Sequence, residues 1–305
     1  MTPADAWPEL VYERWAPTVK ALHLYAQMLG KLKLALHPPL PEWLHTGLTL
    51  DARGFTTGPL AADGRVVDAG IDLFDGVLAV RAGERTEAIP LTGPRAVADV
   101  WREFCAALAG FGVDAHLSDR PQEMPDQTTP FADDHAARVV ELAEARRLYR
   151  VLATVHGVFD EFRAPFFGRS GVQLWWGGFD LAVLLFSGAQ VTAPEDRGYI
   201  MRYDLDAEHL NAGFWLGSDD APRALFYAYI HPRPPGCETA PVEPAGAGWV
   251  EALGQWVLPY DDARGRGDPA GALLGFLRSA YRVALTAGGW DDEAHRYEAP
   301  PAPRG

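Results

Sequence analysis

The clearest pattern along the chain is a helix predicted from about Pro17 to Leu36. In VKALHLYAQMLGKLKLAL almost every side is apolar, as expected of a helix covered by several neighbours. A thin polar stripe interrupts it: Lys20, His23, Gln27 and Lys31, at intervals of three and four residues that put them on one face. HPPLP then ends the helix, because proline cannot continue it. Alternation next predicts strands at LTLDA and across VVDAGIDLFDGVLAVR. With Asp75-Gly76 as a tight turn, Leu73 would lie opposite Leu78 and Ile71 opposite Val80. TEAIPL reads as a third strand.

A second helix is expected from Pro94 to Gly110, and VDAHL as a short strand. The segment SDRPQEMPDQTTPFADD has three prolines and little apolar content, which suggests a connection between halves. A helix capped at Asp133 or Asp134 and running to about His156 should come next. VQLWWGGFDLAVLLFS reads as a hairpin turning at Gly177-Gly178 with positive φ, pairing Trp176 with Phe179 and Leu174 with Leu181. Strands near 200–216 and 224–231 and a final helix from Asp268-Pro269 complete the order. The expectation is an α+β protein with antiparallel sheets and packed helices in two similar halves, helix–strands–helix repeated. Residues 1–120 form the first half, 121–134 the connection, 135–292 the second half and 293–305 a disordered tail.

Polar groups inside apolar runs are the candidates for chemistry. Asp180 lies on a covered strand face, where an unpaired carboxylate would be costly. It either accepts backbone N–H groups or pairs with Arg, or it lines a pocket. Asp204, Asp206 and Glu208 alternate in YDLDAEHL and could offer oxygen ligands to Mg²⁺ or Ca²⁺, but such a row reads more simply as a solvated strand face. The nine histidines show no HxH or HExxH spacing, so no metal site is expected. No nucleotide-binding glycine motif and no G-x-S-x-G elbow is present.

Charge and cysteine content narrow the partners. A net charge of −14 disfavours nucleic acid and anionic membranes. Neither Cys105 nor Cys237 belongs to a CxxC pair, and Cys105 falls on the apolar face of a predicted helix, as a reduced core thiol would. No basic-then-apolar leader and no run long enough to span a bilayer is seen, so a cytoplasmic location is the expectation.

The series LHLYAQMLGKLKLALHP, LTLDARGFTTG, FRAPFFGR, WGGFDLAVLLFSG, AGFW, FYAYIHPRPPG and VLPYDDAR resembles the bacterial domain of unknown function family 5996 from about Trp15 to Trp290. The resemblance implies that His23, Gln27, Lys31, His45, Arg53, Arg163, Trp176, Asp180, Glu208, Phe214, Trp215, Tyr260 and Trp290 are positions that the family keeps. It also implies departures. Glu42, Gln173 and Ala207 stand where the family favours His, and Leu185 and Ala189 where it favours Arg, so any His-dependent chemistry of relatives is in question here.

Together these readings nominate His23, Gln27, Lys31, Trp176, Asp180 and Glu208 as the lining of an aromatic-walled polar cleft for a small molecule. Two alternatives stay open: a hydrolase or isomerase using His23 with a carboxylate, and a non-catalytic interaction protein. No cofactor is indicated. A solvent-facing stripe would favour the interaction protein.

Overall fold

The computed structural model describes residues 6–193, 195–196 and 198–297, and these form two compact units. The first comprises residues up to Ala153 with Gln173–Asp180 and Ser218–Pro222; the second comprises Thr154–Val172, Leu181–Gly217 and the chain from Arg223 onward. The fold is α+β, and the paired strands are antiparallel. The segment 121–134 lies inside the first of these units.

The first unit opens with helix α1, Tyr12–Leu36, and nearly every residue from Trp15 to Lys33 is buried. His37-Pro38-Pro39 stops it, and the His37 N–H closes the last turn on the Lys33 carbonyl at 2.8 Å. Six strands come next: β1 (Thr49–Leu50), β2 (Gly54–Thr56), β3 (Leu60–Ala62), β4 (Arg65–Asp72), β5 (Val77–Ala82) and β6 (Arg85–Pro90). They form one sheet in the order β1-β2-β4-β5-β6, with β3 also paired to β4. Helix α1 packs against β3 and β4.

The β4–β5 register differs from the sequence expectation. Ile71 pairs with Leu78 and Ala69 with Val80, two residues away from the expected pairing. The cause is the Asp72 carboxylate, which accepts the N–H groups of Phe74 and Asp75 at 2.8 Å and builds a longer turn ending at Gly76 (φ 66°). A shift of two residues keeps every side chain on its face, so the apolar match survives.

After a short strand β7 (Arg95–Ala96), helix α2 (Val97–Gly110) begins three residues beyond Pro94 and packs on α1. The expected strand at 113–117 does not form; no regular element occurs between Phe111 and Pro130. Strand β8 (Ala137–Arg138) pairs with β7. Helix α3 (Leu142–Arg163) starts eight residues after Asp134, whose side chain serves Ala136 N–H and Arg138 instead of capping a helix. Strand β9 (Gln173–Trp175) exchanges backbone hydrogen bonds between Leu174 and Leu48 at 2.8 and 2.9 Å.

In the second unit, β10 (Asp180–Gln190) pairs from Leu181 onward with β11, and helix α4 (Tyr199–Asp204) lies between them in the chain. Strands β11 (Ala207–Trp215), β12 (Leu225–His231), β13 (Gly248–Val250) and β14 (Gln255–Pro259) give the order β10-β11-β12-β14-β13. Helices α5 (Tyr260–Arg264), α6 (Pro269–Thr286) and α7 (Asp292–His295) complete it. Asp268 caps α6 by accepting the Gly271 N–H at 2.9 Å, as the sequence suggests. The acidic row is broken: Asp204 ends α4, and only Glu208 of the three lies in β11. A strand face carrying three carboxylates therefore does not exist. Part of the expected disordered tail is also ordered: α7 covers 292–295, and the Phe167 N–H bonds to the His295 carbonyl at 2.9 Å. The remainder, 298–305, lies outside the described residues.

At Gly30, α1 comes close against the Trp176 ring of the 176–179 turn. A Cβ there would penetrate the Trp176 indole, so only glycine lets that ring lie flat on α1. Gly30→Ala is therefore expected to destabilise the protein by about 1–3 kcal/mol through overpacking, measured by urea unfolding.

Candidate functional site

Helix α1 divides its polar stripe between solvent and interior. Lys20 points outward and pairs with Asp219 at 2.7 Å. The other three face the first unit's interior: Gln27 is 0 % and Lys31 4 % exposed, and His23 is largely covered. Their neighbours are two irregular segments, the loop 119–131 and the turn 176–179.

Gln27 behaves as a spare peptide group. Its Oε1 accepts the Gln122 N–H at 2.8 Å, and its Nε2 donates to the Gln122 carbonyl at 2.7 Å and to the Trp176 carbonyl at 3.2 Å. All three hydrogen bonds go to backbone that has no sheet or helix partner of its own. A buried amide left unpaired costs about 1–3 kcal/mol, so this arrangement turns a liability into a clamp.

His23 Nε2 lies 2.9 Å from both the Trp176 and the Gly177 carbonyl oxygens. Two acceptors require Nε2 to carry the proton, which leaves Nδ1 as the ring's acceptor. The imidazole stacks on Phe179 at 5.0 Å, and burial lowers its pKa from 6.5 to about 4, partly opposed by the two carbonyls. His23 is thus a neutral donor at neutral pH. Gln27 Nε2, 3.5 Å away, is a neighbour and not a partner, since both nitrogens donate.

The turn itself departs from expectation. Neither Gly177 nor Gly178 takes positive φ; Phe179 does, at 55°. The turn spans four residues, 176–179, and its carbonyls are held by His23 and Gln27. Gly177 lies against the end of the Glu123 side chain, whose carboxylate a Cβ there would displace. Trp176 donates its indole N–H to the Thr46 carbonyl at 3.1 Å.

Lys31 completes the group. Its ammonium lies 5.6 Å from the centroid of the Trp176 ring and 5.8 Å from that of Phe131. Among the described residues no acceptor hydrogen-bonds to it and no carboxylate forms an ion pair with it. Desolvation lowers its pKa, opposed by the charge of Asp119. Phe131 is 0 % exposed and packs on Trp101 at 5.3 Å, while its N–H bonds to the Asp119 carbonyl at 2.7 Å. That bond joins the two ends of 119–131, making it a compact Ω-type loop.

The structure therefore brings four of the six expected site residues together: His23, Gln27, Lys31 and Trp176. Asp180 is in the same unit, its Oδ1 close against the Gly178 backbone. Glu208 belongs to the second unit, where its charge acts on His231. That unit has a polar sheet face of its own: His209 opposite His231 and Asn211 opposite Tyr229. Burial lowers the His209 pKa to about 4.

A further polar neighbourhood surrounds the turn after α1. Lys33 donates to the Gly47 carbonyl, Gln173 donates to the Leu44 carbonyl at 3.0 Å, and the buried His45 accepts the Leu40 N–H at 3.1 Å. Desolvation lowers the Lys33 pKa to about 8. Glu42 and Trp43 both take left-handed φ of 53° in this turn, a strained conformation for residues with side chains. Other positions singled out by resemblance are structural. Arg53 binds Asp72 and Asp75 at the β4–β5 turn, Arg163 donates to the Ser170 carbonyl at 3.0 Å, and the Phe214 and Tyr260 rings lie tilted to one another with centroids 5.7 Å apart.

Sequence reasoning missed Asp119, Gln122, Glu123 and Phe131. Their low apolar content and prolines suggested a connector; the one signal was Phe131, a lone bulky apolar residue in a polar segment.

The model of a family of unknown function, DUF5996, matches residues 7–297, and the chain belongs to that family. No curated protein and no solved structure matches the chain. No helix is long and apolar enough to cross a membrane among the described residues.

The geometry predicts two outcomes. Gln27→Leu orphans the Gln122 peptide and should cost about 1–3 kcal/mol in urea unfolding, with faster hydrogen exchange at the Gln122 amide. His23 should show a protonated Nε2 at neutral pH in ¹⁵N-correlated NMR spectra and titrate near pH 4. Because its folded pKa lies below the unfolded 6.5, the unfolded chain takes the proton first. Thermal stability contributed by His23 is complete above about pH 6.5 and declines as pH falls toward 4.

Proposed function

We propose that this member of DUF5996 binds a small anionic molecule on its first unit, with Lys31 as the anchor. The observation that carries the reading is an ammonium buried to 4 % exposure whose company, among the described residues, is two aromatic faces and no hydrogen-bond acceptor. A buried charge without a partner is expensive, and the protein shifts the pKa of Lys31 downward without removing the problem. An anion supplies the missing counter-charge. Trp176 and Phe131 would wall the site, while Gln27 and His23 hold the two backbone segments that frame it. Entry requires the loop 119–131 to part from α1, a motion that Gln27 restrains.

The alternatives have less support. An acid–base enzyme built on His23 needs a proton shuttled near neutral pH, yet Nε2 is committed to two carbonyls and the pKa is pushed to about 4. An interaction surface needs the stripe exposed, and Gln27 and Lys31 are buried. Net charge of −14 continues to argue against nucleic acid as partner. Both thiols, Cys105 and Cys237, are free, which supports a reducing, cytoplasmic setting.

The test separates a ligand anchor from a structural lysine. Lys31→Met preserves the stem and removes the charge. Its melting temperature without ligand should equal or exceed that of the wild type, because an unpaired buried charge is replaced by an apolar group. Acetate and inorganic phosphate should raise the wild-type melting temperature and leave the variant's unchanged. Loss of stability in Lys31→Met, with the anion response intact, would contradict the reading.

A further inference from the structure

Strand β6 ends the first unit's sheet and pairs with β5 on one side only. All its residues except Ile89 are exposed. Gly83-Glu84 forms a two-residue turn, with Gly83 at a φ of 59°, so Ala82 and Arg85 are the closing hydrogen-bonded pair. By the alternation of an antiparallel ladder, Arg85, Glu87 and Ile89 bond to β5, while Thr86 and Ala88 turn their N–H and C=O groups away from it. Among the described residues no group hydrogen-bonds to that outer row. Pro90 also falls on the outer row, where its missing N–H leaves the β5 ladder undisturbed.

Arg85 and Glu87, two residues apart, share the α2 side of the sheet. The Arg85 guanidinium donates to the Gly110 carbonyl at 3.3 Å and lies 4.6 Å from the centroid of the Phe111 ring. A cavity of about 320 Å³ opens between β6 and α2, lined by Glu87, Ile89, Glu103, Ala106, Ala107 and Gly110. The small residues of α2 leave room there for the side chains of a further strand.

An exposed edge of this kind is a template for another strand, and the charge order Arg85-Thr86-Glu87 says which one. A second copy of β6, laid antiparallel with the two Thr86 residues on a two-fold axis, puts Arg85 opposite the partner's Glu87 and Glu87 opposite the partner's Arg85. The two Thr86 residues then exchange a pair of backbone hydrogen bonds. Neighbouring two-fold registers are worse. Centred on Glu87, like carboxylates face each other. Centred on Ala88, Thr86 meets the partner's Pro90, which has no N–H to give.

We infer that the chain forms a two-fold dimer through β6, which continues the first unit's sheet across the axis and is keyed by reciprocal Arg85–Glu87 pairs. The same patch serves both subunits, as a closed two-fold contact requires. The paired edge is short and each chain carries a net charge of −14, so the dimer is weak and depends on concentration.

Sedimentation velocity over a wide concentration range, at physiological ionic strength, tests the inference. The wild type should pass from monomer to dimer as concentration rises. Glu87→Arg and Arg85→Glu each bring like charges face to face and should weaken self-association roughly ten-fold or more. Mixed in equal amounts, these two variants should pair with each other as tightly as the wild type pairs with itself, because each supplies the charges that the other needs. Thr86→Pro removes an N–H that β5 does not use, so it should abolish the dimer and leave the monomer folded. A wild type that stays monomeric at every concentration overturns the inference. So does a dimer that Glu87→Arg and Thr86→Pro leave intact, or a mixture of the two charge variants that associates no more tightly than either alone. Melting curves of each variant confirm that it is folded.

Discussion

A side-chain amide that pairs with a main-chain peptide is the interaction on which this site depends. Gln27 has no place inside a helix as apolar as α1 unless something returns its three hydrogen bonds, and two irregular segments do so at Gln122 and Trp176. The exchange is mutual. Loop 119–131 and turn 176–179 carry peptide groups that no sheet or helix satisfies, and the helix supplies what they lack. His23 repeats the device with one ring nitrogen and two carbonyls. Once those bonds are formed, Phe131 and Trp176 are placed beside Lys31, and the charge one turn further along the helix is enclosed.

Much of this was legible in the sequence, for identifiable reasons. The three- and four-residue spacing of His23, Gln27 and Lys31 put them on one face, and helix geometry guarantees that much. Whether the face looked in or out was not legible, because the partners are backbone atoms, which leave no residue signature. Loop 119–131 is opaque on the same ground: its prolines and polar residues describe an irregular segment correctly, and say nothing of what it covers. In β4–β5 the apolar alternation identified the faces, while Asp72 decided the register through two backbone bonds that alternation cannot see. At the Gly177-Gly178 pair the signal was read as a need for positive φ. Gly177 lies against the Glu123 carboxylate, and Phe179 takes the positive φ instead. The acidic row failed because a helix at Tyr199–Asp204 interrupts what alternation had assigned to one strand.

The electrostatics of the first unit run against the composition. In a chain of net charge −14, helix α1 buries two lysines whose pKa values burial lowers. Lys33 has a carbonyl partner at Gly47, and so reads as a strut for the turn that leads away from the helix. Lys31 has none among the described residues. Neighbouring lysines on one helix thus differ in whether an acceptor is present, and the proposed anchor is the one that has none among the described residues. Glu42 and Gln173 lie in the strut's neighbourhood, around the strained turn, apart from the Lys31 group.

The protonation behaviour of Lys31 itself is the most direct gauge of its role as an anchor. Lysines can be reductively methylated with ¹³C-formaldehyde and each methyl resonance followed through a pH titration. Lys31 should titrate below the ordinary lysine value of 10.5 in buffer alone, and saturating acetate should move its midpoint upward, because an anion favours the charged form. A Lys31 midpoint at the ordinary value and indifferent to acetate would contradict a buried anchor.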